Sequence, residues 1–555
     1  MKKLAVIQSL RYKKEAVILL AFVIIFTVHS IYLNCVAEDA YVSFRFANNL
    51  ANGEGFVWNS GERPVEGYTN FLWVVIMAVI TKIGLGVEAW SQILGIAASI
   101  LAFYYVYSLS MLIDEGKHSF INFIAVALMA ISGPIATWAS SGMETNLFML
   151  FIIMSFYYFF RDEKNKRLTI TSGIYVLFAS LTRPEGVMVF VILSAYYIGK
   201  NFRRNNWLRI DKNFLKWLLV FLVPGLIYFL WRYTYYGFLL PNTFYAKVGG
   251  TIYQVKRGFN YIFCYFKIFL VPVLFLLPIF ITTLTKNSKK NAAKMSHWIP
   301  LLLTVLAYLM YVVYIGGDYM AMFRFIVPII PLIYLLIQEL FRIGYHSGRG
   351  VQRANISLLV VLSLFVIIPS VDPGLLKQLK FPGWMLEYYA KPSFMHGYKE
   401  GVEIERWHSN RLVVIGKFFK IYAKPGESLL TNAVGAISFY SGIKIYDTSG
   451  IVDTHIAHIH NPDMGKGFPG HEKGDYEYLL KKRPTYIMVT RHLYSRRLKR
   501  EDFLKHFSEH IQRTYLIHYR VVYKKLFDKK NRERGYFVFF ELRDKEEDRK
   551  GFITL

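Results

Sequence analysis

The chain has 555 residues, of which 54% are apolar types and 17% are aromatic, and its mean hydropathy is positive. This composition excludes an ordinary soluble multidomain protein and favours a membrane protein. The formal charge of +28 does not indicate nucleic acid binding, because Lys and Arg fall in alternate short loops between apolar runs, which is the pattern that orients membrane proteins.

Apolar windows long enough to cross a hydrocarbon core of about 30 Å recur from residue 15 to about residue 371 and then stop. The sequence therefore predicts a transmembrane domain over residues 1–371 and one folded domain over residues 372–555. The apolar run 15–36 is too long for the core of a signal peptide and lacks a cleavage site, so we predict a retained anchor. The two cysteines, Cys35 and Cys264, imply no disulfide framework.

The basic residues before the first span predict a cytoplasmic N-terminus and an outer first loop, residues 37–88. The later basic loops all fall inside only if one of the apolar segments 70–86 and 89–113 does not cross. Segment 70–86 is the shorter and carries Lys82, so we predict a helix lying at the outer interface. The remaining predicted crossings, about 11 in number, are 15–36, 89–113, 119–137, 146–160, 168–181, 187–199, 214–232, 262–285, 298–316, 325–341 and 356–371.

This arrangement predicts a multi-pass protein of the inner (plasma) membrane whose C-terminal domain is extracytoplasmic. Within that domain, helical and strand patterns alternate, which favours a small α/β fold. The predicted elements are helix 411–419, strand 428–432, helix 433–442, strand 443–448, helix 475–482, strand 484–490 and the paired strands 520–526 and 535–543.

Ionisable groups at the edge of a membrane are costly unless they are paired, so they are candidates for function. In the stretch "AEDAYVSFRFANNLANGEGFVWNSGERPVEGYTNFLW" (residues 37–73), Glu38 and Asp39 directly follow the first span. Other charged residues cluster in the loops predicted on the same outer face. This mixture suits transfer of a sugar from a lipid phosphate, which needs a base for the acceptor hydroxyl and cations for the leaving phosphate.

We therefore predict Asp39 and Glu38 as the catalytic acids, and Arg324, Lys247 and Arg183 as the phosphate-binding cations. Residues predicted to bind acceptor or sugar are Arg45, Glu66, Asp318, His471 and Glu472. Each assignment has a structural alternative. The acids would cap a helix, Arg324 would anchor at the interface, Arg183 would shape a loop with Glu185, and Glu472 would begin a helix. No metal site is predicted, because the three histidines of "DTHIAHIH" do not share a helical face.

Seven motifs occur in the order found in the bacterial terminal β-(1→2)-arabinofuranosyltransferase family, which this chain resembles. They are the "EDAYVSFRFANNLANGEGFVWNSGERPVEGYTNFLW" stretch, "SSGMET", "LTRPEG", "YYGFLLPNTFYAK", "GGDYMAMFRFIVPIIP", "DTSGIVD" and "PGHEK". The resemblance implies a GT-C membrane fold, a polyprenyl-phosphate sugar donor, inversion at the anomeric carbon and an acidic base in the first outer loop. The base role falls on Asp39, with Glu38 second.

The predicted function is thus inverting transfer of arabinofuranose, or of another pentose or hexose, from a polyprenyl phosphate to a cell-envelope glycan such as lipopolysaccharide. The expected partners are membrane lipid, the lipid-linked sugar and the glycan, with no nucleic acid and no established metal or other cofactor. Two alternatives stay open. A lipid-linked sugar transporter or flippase would place polar groups along the crossings, and a non-catalytic glycan assembly protein would tolerate loss of both acids.

Overall fold

The computed structural model of the protein describes residues 2–205, 211–276, 288–345, 349–371, 378 and 399–543. The first part is almost entirely helical. Its α-helices, in chain order, are α1 Lys2–Tyr32, α2 Glu38–Ala51, α3 Phe71–Lys82, α4 Val87–Ile113, α5 Ile124–Ala130, α6 Gly133–Ala139, α7 Thr145–Lys164, α8 Thr171–Thr182, α9 Gly186–Asn205, α10 Lys212–Tyr236, α11 Asn242–Lys247, α12 Ile252–Tyr265, α13 Ser288–Ile315, α14 Ile330–Tyr345 and α15 Arg349–Ile367. Short 3₁₀ or π segments adjoin several of them, at Phe120–Phe123, Phe266–Leu270, Val271–Leu276, Ala321–Ile329 and Ile368–Ser370.

Seven helical segments in the described part of the chain are long and apolar enough to cross a membrane, and eight if one bent pair is counted as a span. This confirms a multi-pass helical membrane protein. The predicted total of about 11 also includes α7, α8 and α9, which fall outside that set, so the total stays a prediction. The second half of the predicted span 262–285 lies outside the described residues.

The predicted crossing 119–137 is not one continuous helix. It is two segments, Phe120–Ala130 and Gly133–Ala139, which are bent by 59° at the break. Pro134 lies in the first turn of α6, where it cannot donate a backbone hydrogen bond to the preceding turn. The break also allows close packing, because a Cβ on Gly133 would lie 2.2 Å from Ser370 Oγ.

The first outer loop is more helical than the sequence indicated. The segment predicted as a non-crossing helix forms α3, whose 12 residues extend only about 18 Å. The predicted crossing α8 is equally short, so the different placement of the two helices stays a prediction. In addition, α2 occupies 14 residues that we expected to be a loop. Its acidic first turn, Glu38 and Asp39, complements the positive end of the helix dipole.

The C-terminal domain is the predicted small α/β unit. It contains helices α16 Lys399–Tyr422, α17 Gly435–Ser441, α18 Thr454–Ala457, α19 Tyr476–Lys481, α20 Glu501–Leu504 and α21 Glu509–Thr514, and strands β1 Ser428–Thr431, β2 Lys444–Asp447, β3 Tyr486–Ile487, β4 Tyr519–Asp528 and β5 Glu533–Leu542. The five strands form one sheet of order β2-β1-β3-β5-β4, parallel from β2 to β3 and antiparallel from β3 to β4. Every predicted strand of this domain overlaps an observed one.

The two parts share a continuous apolar core. Aromatic rings of α2 pack against α17 of the C-terminal domain, with Tyr41 and Phe44 at 5.7 and 6.0 Å from the ring of Phe439. All three belong to, or pack on, the core that also contains the membrane helices. A smaller second core lies within the C-terminal domain, around Leu479, Ile487 and Phe540. The C-terminal domain is therefore docked directly on the helix that carries Glu38 and Asp39.

Candidate active site

A cavity of about 340 Å³ lies where the predicted outer loops meet the C-terminal domain. Its lining comes from each of the quoted loop motifs, including Asp39, Glu144, Arg183, Lys247 and Arg324, and from Ile451, Pro469 and Gly470 of the C-terminal domain. These segments are far apart in the sequence. The structure thus brings the motif residues to one place.

Of the two adjacent acids of α2, Asp39 is the one that faces the cavity. Its carboxylate accepts a hydrogen bond from Arg324 Nη1 at 3.2 Å, and 18% of its side chain is exposed. Burial by itself would raise the pKa of Asp39, but the charges of Lys247 and Arg324 outweigh burial and hold this pKa below its ordinary value. Asp39 is therefore an ionised carboxylate at neutral pH, positioned to accept a proton from a group bound in the cavity.

Arg324 is aimed at Asp39 by an unusual bend in the backbone. Met322 and Phe323 are buried and have left-handed φ angles of 55° and 49°, a conformation that is costly for residues with bulky side chains. The bend directs the guanidinium between two acids, with Nε at 2.7 Å from Asp318 Oδ2 and Nη1 beside Asp39. Asp318 also lines the cavity.

Lys247 ends α11 and lines the same cavity. Its alkyl chain packs on Gly470, where an added Cβ would lie 3.4 Å from Lys247 Cε. Within the part of the chain that the structure describes, no hydrogen bond or ion pair involves its ammonium group. Lys247 is thus a cation whose charge is available to a bound anion.

The other arginines of the cavity are neutralised by protein groups. Arg183 donates to Glu144 and to Glu185, each at 2.8 Å. Arg257, which we did not single out from the sequence, donates to Glu472 at 3.0 Å. Asn70 also holds Glu144 in place, because its side-chain amide donates a hydrogen bond to Glu144 Oε2 at 2.7 Å. Arg183 therefore forms the loop-shaping pair with Glu185 that was the alternative to phosphate binding.

Glu38 points away from the cavity and into the C-terminal domain. Its carboxyl group accepts a hydrogen bond from the Gly435 N–H at 2.5 Å, and it is absent from the residues that line the cavity. An added Cβ on Gly435 would lie 2.2 Å from the Glu38 carbonyl oxygen, so glycine is needed for this close approach. Burial, followed by the charge of Asp39, raises the pKa of Glu38 to about 8.

Three residues predicted to bind acceptor or sugar are held by protein partners. Arg45 is buried and donates to the carbonyl oxygens of Trp58 at 2.9 Å and Ser438 at 2.8 Å. Glu66 accepts from Arg232 Nε at 2.8 Å, and burial raises its pKa to about 7. Glu472 accepts from the N–H groups of Gly465 and Gly467 as well as from Arg257. None of the three lines the cavity.

The C-terminal domain brings ionisable groups close to Asp39, one predicted and others not. His471 was predicted. It follows the lining residue Gly470 but does not line the cavity itself, and burial followed by the charge of Lys247 lowers its pKa to about 4. Glu405 and His408 were not predicted. Burial, followed by the charge of Asp39, raises the pKa of Glu405 to about 8, while burial and then Arg491 lower the pKa of His408 to about 3. Glu405 and His408 are three residues apart, which places both on one face of α16. This spacing was the only feature of the sequence that could have indicated them as site residues.

The described residues contain no group of three or more His, Cys, Asp or Glu side chains arranged to hold a metal ion. The histidines near "DTHIAHIH" are engaged separately: His455 contacts Asp475 at 3.1 Å, and His458 contacts the carbonyl of its own helical turn. Asp39 and Lys247, which line the cavity, are of the types that accept a proton and bind an anion.

Comparison with known proteins finds likenesses to a glycosyltransferase in sequence and to other enzymes in fold. It is 25% identical over 234 residues to the terminal β-(1→2)-arabinofuranosyltransferase of Mycobacterium tuberculosis, a match that spans 38% of this chain and only about a third (35%) of that relative. Residues 402–540 match a family model described as a domain of unknown function, DUF8728.

Among solved structures, ArnT from Cupriavidus metallidurans bound to undecaprenyl phosphate superimposes with a TM-score of 0.51, covering 95% of this chain and 98% of that one at 11% identity. The archaeal oligosaccharyltransferase AglB from Archaeoglobus fulgidus, in complex with an inhibitory peptide and a dolichol phosphate, gives a TM-score of 0.48 at 10% identity, covering 93% of this chain and 74% of that one. The chain therefore has the GT-C fold, and over the matched part of its sequence it resembles the terminal β-(1→2)-arabinofuranosyltransferase, as its motifs predict.

Proposed function

We propose that the protein is an inverting glycosyltransferase that moves a sugar from a polyprenyl phosphate to a cell-envelope glycan on the extracytoplasmic side of the membrane. The observation that carries this proposal is that one cavity contains both a group that can take a proton and a group that can bind a phosphate. An ionised acid, Asp39, lies there with a cation, Lys247, whose ammonium group has no hydrogen bond or ion pair among the described residues. The relatives support the donor class, since the ArnT structure holds undecaprenyl phosphate.

The reaction follows from these two groups. The acceptor hydroxyl oxygen attacks the anomeric carbon, and Asp39 takes the hydroxyl proton. As the new C–O bond forms, the bond from the anomeric carbon to the phosphate oxygen breaks, and its electron pair stays on the phosphate. The polyprenyl phosphate thereby gains negative charge, which Lys247 stabilises directly. One displacement, with no covalent intermediate, inverts the configuration of the sugar.

Arg324 serves this site in two ways. It holds Asp39 in position through Nη1. It also adds positive charge near the leaving phosphate, but less than Lys247 does, because Asp39 and Asp318 both pair with its guanidinium. Asp318 pairs with Nε of the same guanidinium group, and the two ion pairs together fix the plane of that group. Arg183 belongs to the wall of the cavity, because its charge is matched by Glu144 and Glu185. Asp39 and Lys247 are thus our candidates for base and main phosphate ligand.

The first experiment identifies the sugar. Surface glycans from cells with and without the gene are compared by mass spectrometry, and the residue that is lost names the transferred sugar. The glycan and the polyprenyl-phosphate lipid fraction of the deletion strain then serve as acceptor and donor for the purified full-length protein in detergent. Product formed without a membrane supports a transferase, whereas a flippase would form none.

Asp39→Asn tests the base in the same assay. The variant keeps the size of the side chain but cannot take a proton, so we expect transfer to fall by roughly 10²- to 10⁴-fold while the protein still inserts and folds. Asp463→Asn is the matched control, because Asp463 is an exposed acid of the C-terminal domain. Transfer by Asp39→Asn at the wild-type rate would refute the assignment.

A further inference from the structure

An exposed aromatic ring stands at the edge of the cavity. The side chain of Phe468 is 52% exposed, although the next two residues, Pro469 and Gly470, line the cavity. Its ring lies 4.6 Å from that of Tyr319, another lining residue, and 5.5 Å from that of His471. The apolar face of Phe468 is therefore presented beside the place where Asp39 acts.

The loop that carries Phe468 is held firmly in place. The Glu472 carboxylate accepts from the N–H groups of Gly465 at 2.6 Å and Gly467 at 2.9 Å, and it pairs with Arg257. Lys473 donates to the carbonyl oxygens of Tyr245 and Ala457 on both sides of the loop. The ring is thus fixed in its exposed position before any ligand binds, which lowers the entropy cost of binding.

Polar groups with unused hydrogen-bonding capacity lie near the two rings. His408 Nδ1 and His471 Nδ1 are both buried without a hydrogen-bond partner, and in the described part of the chain no hydrogen bond to the Glu405 carboxyl group is recorded. Buried polar groups in proteins normally have partners. Helix α16, which carries Glu405 and His408, packs against α2 and against the 3₁₀ segment Ala321–Ile329, and the ring of His471 lies 5.8 Å from that of Tyr319, so these groups lie around one region.

A flat apolar face beside several hydrogen-bonding groups matches the chemistry of a saccharide ring. The C–H bonds on one face of such a ring carry partial positive charge and pack on the negative face of an aromatic ring. Its hydroxyl groups need donors and acceptors at the edge. A prenyl chain would need apolar walls on all sides, and a phosphate would need a cation, which here is Lys247. The acceptor glycan fits the region best.

We propose that Phe468 and Tyr319 form the stacking platform of an acceptor-sugar subsite whose hydroxyl groups bind to Glu405, His408 and His471. This inference rests on the proposed glycosyltransferase function and specifies its acceptor side. His471 remains an acceptor ligand, as the sequence predicts. Glu472 is no longer assigned to the acceptor, because its carboxylate bonds to Gly465, Gly467 and Arg257. The subsite places one hydroxyl of the terminal acceptor sugar next to Asp39.

The test uses the full-length protein, the glycan of the deletion strain as acceptor and the lipid fraction of the same strain as donor. For Phe468→Ala we expect the acceptor KM to rise at least fivefold, with donor KM and kcat at saturating acceptor within twofold of wild type. Phe468→Trp should restore the acceptor KM, and Phe468→Leu, which is apolar but has no aromatic face, should not. Phe527→Ala is the control, because Phe527 is also 52% exposed and lies on strand β4, away from the cavity lining.

The outcomes separate the two proposals. If the wild-type protein transfers sugar and Phe468→Ala has the wild-type acceptor KM, the subsite is refuted and the transferase stands. If Phe468→Ala raises the donor KM instead, the platform belongs to the donor and the inference is wrong. If the wild-type protein forms no product with either substrate fraction, the transferase proposal fails and the subsite fails with it.

Discussion

At the scale of single residues, the two adjacent acids of α2 do different things. Asp39 faces the cavity and Arg324, whereas Glu38 faces Gly435 of the C-terminal domain. Successive residues of an α-helix point about 100° apart, so two neighbours cannot both face the same small cavity. The sequence shows that acids occur here, and the packing of α2 decides which one can reach a substrate.

Lys247 gives a prediction about the donor. Lys247→Met removes the charge and keeps the length of the side chain, so we expect the donor KM to rise roughly tenfold and kcat to fall, because the leaving phosphate loses a stabilising charge. Lys247→Arg should recover part of both. Initial rates at varied donor concentration measure the effect, with the exposed Lys481 changed to Met as the control. A wild-type donor KM for Lys247→Met would assign the phosphate to another cation.

Glu38 gives a prediction about pH. Its folded-state pKa of about 8 lies above its ordinary value of 4.5, so the folded protein binds this proton more tightly than the unfolded chain. The stability that Glu38 contributes is therefore complete below pH 4.5 and is lost as pH rises through 8, with an upper limit of about 5 kcal/mol.

Glu38→Gln removes this titration and keeps an oxygen that accepts from Gly435. The thermal midpoint of the variant should fall less than that of wild type between pH 6 and 9, as measured by fluorescence unfolding in detergent. Transfer activity should remain, since Glu38 does not line the cavity. Parallel pH profiles for the two proteins would show that Glu38 is not the group that titrates.

At the scale of elements, α2 is the part that joins the membrane domain to the C-terminal domain. Arg45 makes the connection through the carbonyl oxygens of Trp58, Ser438 and Ile443. The pattern of small or aromatic residues at 40, 44, 47 and 51 has helical spacing, and this was the signal for α2. We missed it because the segment also contains many polar residues. Glu38 and Arg45 are buried here against the C-terminal domain, and Ser43 and Asn49 are buried against the rest of the first outer loop.

Arg45→Met tests whether this residue is structural or binds the acceptor. Loss of the guanidinium leaves several buried carbonyl groups without donors, and we expect the protein to be destabilised by about 2–4 kcal/mol. The acceptor KM of the folded fraction should stay within twofold of wild type. Thermal unfolding and acceptor titration are measured on the same preparation. A large rise in acceptor KM with unchanged stability would restore the role predicted from the sequence.

At the scale of the whole molecule, the loops predicted to lie outside all meet at one cavity, together with the C-terminal domain. Loops predicted inside also meet one another, as in the ion pair of Lys200 with Glu163 and that of Arg342 with Asp114. This separation agrees with the predicted division of the loops between two faces of the membrane, and the extracytoplasmic position of the C-terminal domain stays a prediction.

Cysteine labelling in intact cells tests the orientation. After both native cysteines are replaced by serine, Lys481→Cys should react with a membrane-impermeant maleimide, because residue 481 is exposed on the C-terminal domain. Lys164→Cys, exposed at the end of α7, should react only after the cells are lysed. Labelling of the second variant alone in intact cells would invert the topology.

The sequence by itself determined the membrane class, the approximate positions of most described helices and strands, and the residues from which the site is built. These features depend on local patterns of apolar, charged and turn-forming residues, which are readable within one segment. The tertiary structure alone decided which charged residues are free to react. Asp39 and its partner Arg324 are 285 positions apart. Glu66, Arg183 and Glu472 form ion pairs with residues that are brought to them only by tertiary packing. The chemistry of an ionisable group depends on its neighbours in space, and the local sequence does not specify them.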